Sequence, residues 1–221
     1  MDVNTAEHGS GHEQVPEHRV ERMMFFSDAV IAIAITLLVI EIHVPHLPHT
    51  ATASDFAHAL VELLPNFVGF FISFFVIGAF WGGHHRAFAV ARMWDERLAF
   101  ANLSFLCAVA AMPFVTALLS ANGGALFPVL LYCSWLLLTA LLSTRLQRIL
   151  TSAPVVDPAA SPERIGNIRR RGYAVALGAA TAILVAIIAP VPVFGQVALL
   201  SIPLWRLFLE RRARQPAPVA A

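Results

Sequence analysis

The chain has 221 residues, 58% of them hydrophobic and only 13% charged, with a net charge of +1. A soluble domain of this length carries far more charge on its surface, and a hydrocarbon core about 30 Å thick needs about 20 apolar residues per helix. Such stretches recur six times along this sequence, which excludes a soluble enzyme or nucleic-acid-binding domain and makes it an all-α integral membrane protein.

Residues 1–17 are polar and lack a basic segment ahead of an apolar core. They read as a short disordered cytoplasmic tail and not as a signal peptide. Membrane spans are expected at 23–43, 56–91, 97–121, 125–150, 164–190 and 193–212, within a domain covering 18–214, and 215–221 is a second short tail. The second stretch is too long for one crossing. Its first part, DFAHALVELL, is expected to lie at the outer surface before Pro65. Pro45 and Pro48 end the first span, and Gly123-Gly124 and Pro190-Val191-Pro192 make tight turns. Pro113 and Pro203 are candidate kinks in spans three and six.

All fifteen cations are arginine. They flank the inner ends of the expected spans: Arg19 and Arg22; Arg86, Arg92 and Arg97; Arg145, Arg148, Arg164 and 169–171; then Arg206, Arg211, Arg212 and Arg214. The loops at 44–55, 122–124 and 191–192 have none. The positive-inside rule therefore puts both termini in the cytoplasm.

The first span opens with Arg22, Ser27 and Asp28 and is then almost wholly aliphatic. A carboxylate inside a span costs about 2.5–3.5 kcal/mol on insertion scales, so it needs a partner or a task. Helical projection puts Phe26, Val30, Ile33, Leu37 and Ile40 on one stripe, flanked by Ala29 and Thr36, with Asp28 about 140° away. Such a stripe either faces lipid or a neighbouring helix, or forms an aliphatic constriction about a symmetry axis. Periodicity does not choose between them. Trp81, His84 and His85 end the second span on the cytoplasmic side, and Asp28 lies one to two turns in from that same side. A buried network joining Arg22, Ser27 and Asp28 to Trp81, His84 and His85 would satisfy the carboxylate. The alternative is proton exchange between Asp28 and His84.

The run R-x-x-x-F-S-D (Arg22, Phe26, Ser27, Asp28), followed by A-V-x-A-I-x-x-T-L-L, resembles the transmembrane protein 175 family of potassium channels. The F-W-x-x-H-H-R-x-F run at 80–88 resembles the second span of that family. The resemblance implies a six-helix channel domain, one repeat per chain, assembling as a homotetramer with the first span lining the pore. It further implies an aliphatic constriction at Ile33, with Leu37 and Ile40 beyond it, and Thr36 hydroxyls as candidate ligands for a permeant potassium ion. No resident cofactor or metal is implied, and membrane lipids are the surrounding partners. The implied activity is passive, potassium-preferring permeation in the cell inner membrane, not an enzymatic reaction; a proton-coupled transporter using Asp28, His84 and His85 is the alternative.

Other signals are weaker. His43, His46 and His49 recur at threes just outside span one, a spacing compatible with zinc or pH sensing, but Pro45 and Pro48 break any helix that would align them. The cluster at 169–171 is placed to anchor topology or meet anionic headgroups. Cys107 and Cys133 are expected to be small buried core residues.

Overall fold

The computed structural model describes residues 15–192 and 194–214; among them all regular elements are helices. Helix α1 (Val15–Ile40) begins ahead of the first expected span, whereas most of the N-terminal tail and all of 215–221 lie outside the described residues. The part of the second stretch expected at the outer surface before Pro65 forms a helix of its own, α2 (Ala53–Glu62). It starts at a capping box: the Asp55 carboxylate accepts from the Thr52 backbone N–H at 2.7 Å, and Thr52 Oγ1 accepts from the Asp55 N–H at 3.3 Å. The Thr52 backbone N–H foremost, and the Thr52 hydroxyl, which donates to the same carboxylate oxygen at 2.8 Å, hold the exposed Asp55 carboxyl below the usual carboxylate range.

Helix α3 (Leu64–Phe88) carries Pro65 in its first turn, where the missing N–H costs nothing. The third stretch is divided at Ala111 into α4 (Glu96–Ala110) and α5 (Met112–Ala121), as the proline at 113 foretells. Helices α6 (Leu126–Leu150) and α7 (Pro162–Ile188) form an antiparallel pair. Arg148 donates to the Tyr173 hydroxyl at 2.7 Å and Arg169 to the Thr151 carbonyl at 2.7 Å, so the end of α6 is tied to the start of α7.

The final stretch departs from the expected single span. It consists of α8 (Phe194–Val197), a 3-10 turn (Ala198–Ser201) and α9 (Ile202–Arg214). Pro203 has no N–H to offer the Leu199 carbonyl, which accounts for the tightened turn before it. Among the described residues five helical stretches, not six, are long and apolar enough to cross a membrane: His18–Ile40, Leu64–Phe88, Glu96–Ala121, Leu126–Leu150 and Pro162–Ile188. The last stretch nevertheless runs back along α7, since a Cβ on Gly195 would meet Ala186 and one on Gly178 would meet Ile202. Trp205 Nε1 also donates to Thr181 Oγ1 at 3.1 Å. The chain is thus an all-helical, multi-pass membrane protein.

The core lies where α3, α4, α5 and α6 converge on Ile77, Phe105, Met112, Tyr132 and Leu136, all fully buried. Small residues let α8 and α9 approach α7 closely: Ala174, Gly178, Ala179, Ala182 and Ala186 are buried. A Cβ at Gly195 would lie 2.6 Å from Ala186 Cβ and 2.9 Å from the Ala182 carbonyl oxygen, neither of which is able to swing away. Gly195→Ala is therefore expected to destabilise the fold by about 1–3 kcal/mol. Thermal unfolding of the purified protein in detergent, followed by tryptophan fluorescence, checks this.

Candidate functional site

Helix α1 has two faces that differ in kind. Val20, Ser27, Ile31, Ala34 and Leu38 recur at spacings of three, four and seven and are buried against the other helices. On the other side Phe26, Ile33, Leu37 and Ile40 are exposed, Ile33 at 58% and Ile40 at 68%, and Ala29, Ala32 and Thr36 are exposed beside them. Val30 is half-buried at the edge of this stripe. Ile33 and Leu37 therefore contribute little to the core of one protomer. The Thr36 hydroxyl donates to the Ile33 carbonyl at 2.8 Å. Its proton is thus directed back into the helix, leaving oxygen lone pairs available outward.

The polar residues beside this stripe fall into two groups rather than the single network expected. In the first, Trp81 Nε1 donates to the Asp28 carboxylate at 2.9 Å, joining α1 to α3. His85 is exposed and rests against the Trp81 ring, with centroids 5.8 Å apart. In the second, Ser27 Oγ donates to the Met23 carbonyl at 2.8 Å and accepts from Asn102 Nδ2 at 2.9 Å. Asn102 Oδ1 is 2.9 Å from His84 Nε2. With the amide's Nδ2 donating to Ser27, its oxygen must accept, so His84 carries its proton on Nε2. His84 Nδ1 is left buried without a partner, and the ring is stacked between Phe88 and Phe105 at 4.4 and 5.7 Å.

Asp28 is bonded to neither histidine among the recorded contacts, and Arg22 joins neither group. Arg22 is exposed on the side of Phe26 and forms no hydrogen bond or ion pair with a described residue. Asn102 was not singled out from the sequence, although an amide in the apolar run L-A-F-A-N-L-S-F-L is itself a signal that a buried partner exists. A further buried cluster of Ser73, Thr116 and Tyr132 ties α3 to α5 and α6: Ser73 Oγ lies 2.8 Å from Thr116 Oγ1 and 3.1 Å from the Tyr132 hydroxyl.

Replacing Trp81 by Phe removes the Nε1 donor to Asp28 while keeping an aromatic ring. An exposed-side bond to a carboxylate of this kind contributes about 1 kcal/mol. Trp81→Phe is accordingly expected to lower the unfolding midpoint modestly, and Asp28→Asn, which keeps an acceptor, to lower it less; denaturation in detergent compares the two.

The histidines just outside the first span do not form a metal site among the described residues. His43, His46 and His49 are all exposed along an irregular segment, and no His/Cys/Asp/Glu group able to hold a metal occurs among the described residues. Cys133 is buried as expected, but Cys107 is exposed on α4, which corrects its expected burial.

A family model described as endosomal/lysosomal potassium channel TMEM175 matches residues 22–113, a segment that holds both polar groups around α1. The chain is 41% identical over 99 residues to a Streptomyces collinus protein named as a potassium channel, covering 45% of this chain and 47% of that one. It is 32% identical over 129 residues to a Chryseobacterium protein of the same name, covering 58% and 64%. The matches thus span about half to two thirds of these curated relatives. The fold is similar to the crystal structure of a lysosomal potassium-selective channel TMEM175 homolog from Chamaesiphon minutus. The TM-score is 0.71 at 25% identity, over 90% of this chain and 100% of that one.

Proposed function

Because this chain belongs to the TMEM175 family, a family of ion channels and not of enzymes, we propose that it is a potassium-preferring cation channel whose pore is lined by α1. The observation that carries this reading is the outward stripe of Phe26, Ile33, Leu37 and Ile40, which one protomer leaves uncovered on its family-matched first helix. Four copies arranged about that stripe would enclose an aliphatic constriction at Ile33, with Leu37 and Ile40 beyond it, gating by exclusion of water. Thr36 would then present four oxygens one turn from the constriction, their protons already directed to the backbone. Potassium is the permeant ion, not a bound cofactor. The channel is assigned to the cell inner membrane with both termini cytoplasmic, in keeping with the arginines on the inner flanks.

Ser27, Asp28, Trp81, His84 and Asn102 hold α1 to the body of the protomer in this reading. A proton-coupled transporter would instead require Asp28 and His84 to exchange protons, whereas each has its own partner. Single-channel recording from the reconstituted protein under opposed potassium and sodium gradients is the test. Unitary steps that reverse on the potassium side support the channel. Stepless uptake that follows an imposed pH gradient would overturn it.

Arg22 lies at the arginine-bearing mouth of the same helix and would repel entering cations. Arg22→Gln is expected to raise unitary conductance roughly severalfold at low ionic strength, with the gain fading as salt screens the charge. Conductance measured across a potassium concentration series checks this.

A further inference from the structure

Where α3 ends and α7 begins, two adjoining hollows share Arg86, Ile168 and Arg171. The inner one, about 50 Å³, reaches Gly83, Ser143, Gln147 and Gly172. The outer one, about 280 Å³, adds Glu163, Arg164 and Asn167. Arg164 and Arg171 are seven residues apart on α7 and so share a face, with Arg86 opposite them on α3. Three guanidiniums thus meet a single carboxylate, Glu163. Neither Arg86 nor Arg171 forms a hydrogen bond or ion pair with a described residue, and Arg206, close enough to act on Arg86, is itself paired with Glu210 at 2.9 Å.

The inner hollow holds a second unmet group. Gln147 is 5% exposed, and its Nε2 donates to Ser143 Oγ at 3.1 Å. Its Oε1 has no partner. The carboxamide fits because its neighbours are glycines: a Cβ at Gly172 would lie 2.6 Å from Oε1, and one at Gly83 would lie 3.3 Å from Nε2. An anion at the mouth and a hydroxyl donor at the floor would satisfy every one of these groups.

We propose that this notch binds a phosphate group, Arg86, Arg164 and Arg171 gripping its oxygens while a hydroxyl of the same ligand donates to Gln147 Oε1. Guanidinium forks match phosphate oxygens in charge and geometry. Like-charged guanidiniums converging beside a low-dielectric interior repel one another, and a bound anion relieves that repulsion. The arginine-rich ends of spanning helices are also where lipid headgroups lie. A glycerophosphate headgroup supplies both the anion and the hydroxyl; protonated free phosphate supplies the same two features.

Native mass spectrometry of delipidated protein in neutral detergent, titrated with phosphatidylglycerol or phosphatidylcholine, tests the site. The wild-type chain is expected to prefer phosphatidylglycerol, and Arg86→Gln/Arg171→Gln to lose about tenfold or more in affinity. Arg145→Gln/Arg148→Gln, which removes equal charge from a different groove, is expected to lose much less. Equal loss in the two pairs, or no loss in the first, overturns the proposal. Competition with inorganic phosphate separates the sources: displacement of the lipid identifies free phosphate as a ligand, and persistence of the lipid identifies the headgroup. Should the double variant fail to fold, Glu163→Gln decides. Removing that exposed carboxylate is expected to tighten phosphatidylglycerol binding severalfold, and unchanged or weaker binding overturns the site.

Discussion

Ile33→Asn is expected to raise the unitary cation conductance of the reconstituted protein by about tenfold or more and to weaken its preference for potassium over sodium. A constriction of four isoleucines resists ions because it must be wetted first. Burying one such side chain is worth about 1.5–3 kcal/mol, and each 1.36 kcal/mol removed from a barrier is about tenfold in rate. An amide in its place holds water, so ions pass with more of their hydration shell and the difference between potassium and sodium shrinks. Folding should tolerate the change, since Ile33 is 58% exposed and belongs to no part of the protomer core. Val39→Asn is the matched control: Val39 is also exposed, yet projects about 120° from Ile33 on the same helix. Unaltered conductance in a well-folded Ile33→Asn protein, or a larger gain in Val39→Asn, would move the pore to another face.

What the sequence revealed about α1 follows from its regularity. An uninterrupted apolar helix has one geometry, so the 3.6-residue period separates Ile33 from Asp28 without any tertiary knowledge. The same logic marked Pro113 as a kink, where the structure divides α4 from α5, because a missing N–H acts locally. It failed where pairing is decided by contacts between distant segments. Asp28, Trp81, His84 and His85 were grouped by their place near one end of the spans, but that does not say which rotamer or which neighbour each side chain takes. Asn102 lies 75 residues from Ser27, and only the packing of α4 against α1 and α3 brings the two together. The division of the last stretch was not foreseen for a related reason: average hydrophobicity over 193–212 hides the local effect of Pro203 and the charges at Arg206, Glu210, Arg211 and Arg212 on helix continuity.

Asn102→Leu is expected to destabilise the protein by about 2–4 kcal/mol, because the loss falls on a group that has no substitute. Asn102, Ser27 and His84 are all buried, none more than 1% exposed. Ser27 tolerates the change, since its proton already goes to the Met23 carbonyl. His84 does not: its Nε2–H loses its acceptor while its Nδ1 is already unpartnered, leaving an imidazole with both nitrogens stranded between Phe88 and Phe105. Adding His84→Phe should recover most of the loss, because a third phenyl ring keeps the stack and carries no nitrogen to satisfy; replacing both partners of a buried bond by apolar groups is often nearly neutral. Denaturant unfolding of the two single variants and the double variant measures the coupling. Recording then separates anchoring from conduction, since Ser27 lies on the buried face of α1 and Ile33 on the exposed one. Channels assembled from Asn102→Leu should be fewer but of ordinary unitary conductance. A fall in unitary conductance with unchanged stability would instead place this network in the conduction path, and α1 could no longer be treated as a helix with one face for anchoring and another for ions.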